Sequence, residues 1–120
     1  MAIPEPTKLE IVQRLHVAKQ RGNSLVITLR FKGETDEAAR VAASTAALST
    51  QIDTLLGQII AEWLDQGTDI VADITRANAG LQRSITEIGK GLHTAQNVVK
   101  AIGLIDEAAA IAARIAAAVK

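Results

Sequence analysis

The chain has 120 residues, with thirteen Lys and Arg balanced by thirteen Asp and Glu, and its only aromatic residues are one Phe and one Trp. Zero net charge gives no global attraction to a polyanion, although a local basic patch can still serve one. The absence of Cys excludes disulfides, thiolate metal sites and a cysteine nucleophile. The length fits a single domain. With so few aromatics, bulk must come from Ile, Leu and Val, while Ala lets backbones approach closely. This composition suits helix-on-helix packing, and its small apolar area per residue gives partner chains a stabilising role.

Met1–Pro6 carries neither the charged nor the apolar region of a signal peptide and reads as an extended leader. Thr7-Lys8-Leu9-Glu10 has the form of a capping box. Leu9, Val12, Leu15 and His16 follow at helical spacing and Gly22-Asn23 supplies a stop, so a first helix is expected over about 7–21. Residues 25–32 differ in kind. Leu25, Ile27, Leu29 and Phe31 alternate with Val26, Thr28, Arg30 and Lys32, the period-2 pattern of a half-buried strand. A single strand leaves its backbone groups unpaired, and pairing with the same strand of a second copy would satisfy them.

From Thr35 to Gln66 the pattern is helical. Val41, Thr45, Leu48, Ile52, Leu55 and Ile59 step by four and three, with Leu56, Ile60 and Trp63 widening the face. Ser49-Thr50-Gln51 leaves open whether this is one helix or two. Gly67 marks its end, and Thr68 or Asp69 caps the next helix, expected to run to Gly89 on Val71, Ile74, Asn78, Leu81, Ile85, Ile88 and Leu92. Asn78 holds a seam position, where a buried polar group fixes register. Asp73 can pair with Arg76, and Arg83 with Glu87. Gly89-Lys90-Gly91 reads as a turn, since a phosphate loop needs an upstream Gly and a Ser or Thr after the Lys.

The last helix, about 94–119, has two apolar stripes: Val98, Ile102, Ile105, Ala109, Ala112, Ala116 and Val119, and Leu104, Ala108, Ile111 and Ile115. Lys100, Glu107 and Arg114 form its polar line. Two apolar faces imply burial on two sides, the second against another subunit. Asp106, Glu107 and Arg114 lie within the apolar stretch 101–119 and argue against a membrane span. His16 and His93 lack companions at metal-ligand spacing, and Asp65, Asp69 and Asp73 read as a solvated strip. No nucleophile elbow or dinucleotide fingerprint occurs, so neither an enzyme nor a cofactor is expected.

Residues 25–66 resemble the ribbon-helix-helix DNA-binding fold. The resemblance rests on Leu25–Lys32 as ribbon, Asp36–Leu48 as a first helix, Ser49-Thr50-Gln51 as turn and Leu55–Leu64 as the end of the second helix. It implies an intertwined dimer whose ribbon enters the major groove. Thr28, Arg30 and Lys32 would face the bases, and Ser49 and Thr50 would sit at a phosphate. The sequence therefore predicts a mainly α protein: a long antiparallel, coiled-coil-like helical bundle with one short N-terminal strand, oligomeric and cytoplasmic. Residues 1–33 would form the helix-plus-strand part and 34–120 the bundle and oligomerisation region, together one compact unit. Its expected role is non-enzymatic assembly with itself or another protein, through Leu25, Ile27, Leu29, Phe31, Ile102, Ile105, Ile111 and Ile115. The alternative is a ribbon-helix-helix DNA-binding protein with a C-terminal multimerisation region.

Overall fold

A computed structural model describes residues 2–58, 61–65 and 69–119. The expectations for Ile59, Ile60, Gln66, Gly67 and Thr68 lie outside the described residues. Among the described residues the chain is mainly α, with four helices: α1 (Glu5–Phe31), α2 (Thr35–Gly57), α3 (Ile70–Gly89) and α4 (Thr94–Ala117). Among the described residues there is no strand, only an isolated antiparallel bridge between Ala2 and Leu64. The ribbon-helix-helix reading is therefore wrong. Leu25–Lys32, the supposed ribbon, is the end of a helix of 27 residues and the turn after it, and Ser49-Thr50-Gln51 lies inside α2.

The reason lies in Gly22. Ile11, Leu15, Ala18, Gly22, Leu25 and Leu29 step by four and three without interruption, and all are buried. Ala18 and Gly22 hide this seam because small residues carry no apolar signal. Gly22 is a contact point and not a stop. A Cβ there would meet Thr45 Oγ1 of α2 at well under 3.0 Å and Ile105 Cδ1 of α4 at 3.3 Å. Tertiary packing thus overrides the strand propensity of residues 25–32. Their amides join the helical ladder, which removes the orphan-backbone argument for a dimer. The expected capping box is also replaced. The helix starts earlier, at Glu5, with Pro4 as N-cap and Pro6 in the first turn, where its missing N–H costs nothing. Leu9, expected to face the core, is exposed.

In α2, Val41, Thr45, Leu48, Ile52 and Leu55 are buried as their spacing predicts. Thr45, Thr50 and Thr54 turn their hydroxyls onto the carbonyls four residues back, at 2.8, 3.1 and 3.1 Å, so these weak helix formers are accommodated without a break. The helix ends at Gly57 rather than near 66. Trp63 lies in the α2–α3 connection, fully buried, its Nε1 donating to Gln58 O at 3.0 Å. Ile3 N donates to Trp63 O at 2.7 Å. The buried Lys8 sends Nζ to Ala61 O at 2.7 Å and over the indole, 5.7 Å from its centroid. Leader and connection thus seal one end of the bundle around the indole.

α1 packs on α2 and α3, α4 packs on the same two, α1 and α4 touch across the centre, and α2 and α3 are not neighbours. Two antiparallel hairpins therefore lie side by side, α1 along α3 and α2 along α4, in a body 45 × 22 × 17 Å. Asn78 ties the first of these pairs together: its Nδ2 donates to Arg14 O at 3.0 Å, and Arg21 Nη1 donates to Asn78 O at 2.7 Å. α3 opens on Asp69, whose carboxylate accepts from Ala72 N at 3.0 Å, a side-chain N-cap. The Asp73–Arg76 pair forms; the expected Arg83–Glu87 pair does not.

Both apolar stripes of α4 pack inside the chain, against α2 and α3 with α1 across the centre, with Ile102, Leu104, Ala109, Ala116 and Val119 half-buried at their edges. Ile105, Ile111 and Ile115 are core residues, so the two-faced pattern needs no second subunit.

Candidate interaction surface

Both hairpin turns lie at the end of the bundle opposite Trp63. Each is closed by the same device. At the first, Lys32 is the C-cap, Gly33 takes φ 77°, Gly33 N donates to Arg30 O at 3.1 Å and Glu34 N to Leu29 O at 2.9 Å. At the second, Lys90 and Gly91 (φ 74°) repeat the pattern, with bonds to Ile88 O and Glu87 O, both 2.9 Å. These are Schellman closures, which need a left-handed residue at the position glycine fills.

The alternation in residues 25–32 acquires a new meaning on a helix. At about 100° per residue, positions two apart lie on opposite sides. Leu25 and Leu29 point inward and are fully buried, so Ile27 and Phe31 must point outward, 55% and 88% exposed. The chain's two aromatic residues thus have opposite fates: Trp63 is buried and Phe31 stands in solvent. Leu92, expected in the seam of the third helix, is exposed in the second turn, and Val99 is exposed near the start of α4.

Charges of both signs adjoin Phe31 in the chain. Arg30 and Lys32 close α1, and Glu34, Asp36 and Glu37 open α2, an arrangement the helix dipoles favour. An exposed apolar residue that adjoins both bases and acids can pair with its own copy about a two-fold axis, each base meeting an acid of the other.

Of the residues expected at an oligomer interface, Leu25, Leu29, Ile105, Ile111 and Ile115 are buried within the chain, Ile102 is half-buried, and Ile27 and Phe31 remain on the surface. Of the expected DNA contacts, Thr28, Arg30 and Lys32 lie on the last turn of α1 and its cap, with no ribbon to present them. Ser49 and Thr50 sit mid-α2, with no helix N-terminus there to bind a phosphate. Arg30 and Ser49 do line one open α1–α2 groove, together with Ile27, Ala42 and Ala46. Among the described residues, no group of three or more His, Cys, Asp or Glu could hold a metal ion, and no helix is long and apolar enough to cross a membrane.

Comparison of the chain with protein-family models, with curated proteins and with solved structures found no match.

Proposed function

We propose that this protein is a non-enzymatic helical module that associates with copies of itself through the turn end of its α1–α2 hairpin. The observation that carries this reading is the exposure of Phe31, with Ile27 one turn earlier on the same side of α1. Scattered surface apolar residues are ordinary, whereas contiguous apolar surface rimmed by polar groups marks an association site, and Ile27 and Phe31 put their exposed apolar surface together on one side of α1. Burial of a Phe side chain stabilises by about 1.5–3 kcal/mol. A two-fold pairing buries it twice, giving about 3–6 kcal/mol, or about 10²–10⁴ in the dissociation constant. The flanking charges support a second copy as the partner, because Arg30 and Lys32 of one protomer find an acidic counterpart in the same patch of another.

Static light scattering over a range of protein concentration tests the reading. The expected mass rises above the 12.6 kDa protomer as concentration rises. A mass that stays at the protomer value throughout would rule out self-association.

A further inference from the structure

Gly103 stands in the middle of α4, exposed, with nothing within 4 Å of where its Cβ would be. A mid-helix glycine costs about 1 kcal/mol relative to alanine, and here no neighbouring atom requires it. Its effect is to leave one wall of the α3–α4 groove open. That solvent-open groove has a volume of about 470 Å³ and is lined by Gly80, Arg83, Ser84, Glu87, Asn97, Lys100, Gly103 and Leu104.

A second, independent feature lies in the groove. Ser84 and Asn97 are each only 3% exposed, yet both hold polar atoms without a partner among the described residues. Ser84 Oγ makes no hydrogen bond. Asn97 Nδ2 donates to Leu92 O at 2.9 Å, which fixes the amide and leaves Oδ1 as its free end. Neither atom is among the fully enclosed unsatisfied ones, so both are reached from the groove. Arg83, Glu87 and Lys100 likewise make no ion pair or side-chain hydrogen bond among the described residues.

The antiparallel register orders these groups. Gly80 abuts Leu104, so Arg83 and Ser84 fall level with Lys100, and Glu87 falls level with Asn97 about one turn further on. The groove therefore presents two cations and a hydroxyl at one level, two acceptors at the next, and open space at Gly103. We propose that it binds a small zwitterion of the α-amino-acid class. Arg83, Lys100 and Ser84 take the carboxylate, Glu87 and Asn97 Oδ1 take the ammonium, and the space beside Gly103 admits a short side chain. A lone anion would leave the acceptors unmatched, and a lone cation would leave Arg83 and Lys100 unmatched. Unmatched groups of this kind are what make such a site selective.

The test is an NMR titration of the full chain with L-alanine, following the Gly80 and Gly103 amides and the Asn97 side-chain NH₂. N-acetyl-L-alanine, which lacks the ammonium, and L-alaninamide, which lacks the carboxylate, serve as comparison ligands. Saturable shifts with alanine are expected, with at least about tenfold weaker binding of either blocked form. Gly103→Leu fills open space with a good helix former, so it is expected to abolish the shifts while leaving thermal stability unchanged or higher. Equal binding of all three ligands, the absence of saturable shifts, or undiminished binding to the stable Gly103→Leu variant would each overturn the proposal.

Discussion

Replacing Gly22 with alanine tests the packing account at its tightest point. In an open helix interior this change stabilises by about 1 kcal/mol, because alanine loses less backbone freedom. At Gly22 the added methyl would overlap Thr45 Oγ1, reach Thr45 Cγ2 at 3.1 Å and Ile105 Cδ1 at 3.3 Å. Thr45 cannot yield freely, since it is buried and its hydroxyl donates to Val41 O at 2.8 Å. Overpacking costs about 1–3 kcal/mol, and a lost hydrogen bond adds about 0.5–1.5 kcal/mol. Subtracting the propensity gain of about 1 kcal/mol leaves a net destabilisation of about 0.5–3.5 kcal/mol. Urea denaturation followed by circular dichroism gives the value. Thr45→Ala removes both of the nearest atoms, so in the double variant the Gly22→Ala penalty should largely vanish, a coupling the mutant cycle isolates. If Gly22→Ala alone stabilises the protein, α1 does not approach α2 and α4 as described, and the argument for one continuous helix through residue 22 fails.

Gly103→Ala meets nothing and should raise stability by about 1 kcal/mol, giving the opposite sign to Gly22→Ala in the same assay. Trp63→Ala removes the buried plug that holds Ile3, Gln58 and Lys8 together and should cost about 3–5 kcal/mol, visible as a large drop in the urea midpoint. Ile105→Asp places an unpaired charge where α1, α2 and α4 meet and should unfold the chain at 25 °C. A helical, cooperatively melting Ile105→Asp variant would contradict the placement of that residue in the core.

Much of the fold was legible because three helices carry their burial in large side chains. Val41, Thr45, Leu48, Ile52 and Leu55 in α2, and Val98, Ile105, Ala112 and Ile115 in α4, follow the spacing read from the sequence. Asp69 was legible as a cap because its carboxylate has a defined local task. The first part of α1 was legible from Val12 and Leu15, but its continuation beyond residue 21 was not, because the seam passes through Ala18 and Gly22, and Gly22 looks like a stop unless its contact with Thr45 is known. The same blind spot turned residues 25–32 into a strand. Alternation by two cannot reveal that Leu25 and Leu29 will be core while Ile27 and Phe31 face water. Val98, Ile105, Ala108, Ile111, Ala112 and Ile115 of the two α4 stripes are buried as read, but whether neighbouring helices or another chain covers a stripe depends on topology. Trp63 was assigned to a helix face because its size, and not its place in a connection, dominates the pattern. Ser84, Asn97 and Gly103 gave no local signal; only the pairing of α3 with α4 brings them together.

Self-association through Phe31 is the central claim, and sedimentation equilibrium on three chains tests it most directly. Wild type and Leu9→Ser, altered at an exposed apolar residue near the Trp63 end of α1, should associate alike. Phe31→Ser should dissociate about 10²–10⁴-fold more readily while keeping its helical content. If Phe31→Ser associates as the wild type does, or if the wild type sediments as a protomer at every concentration, the turn end of the α1–α2 hairpin is not the association surface.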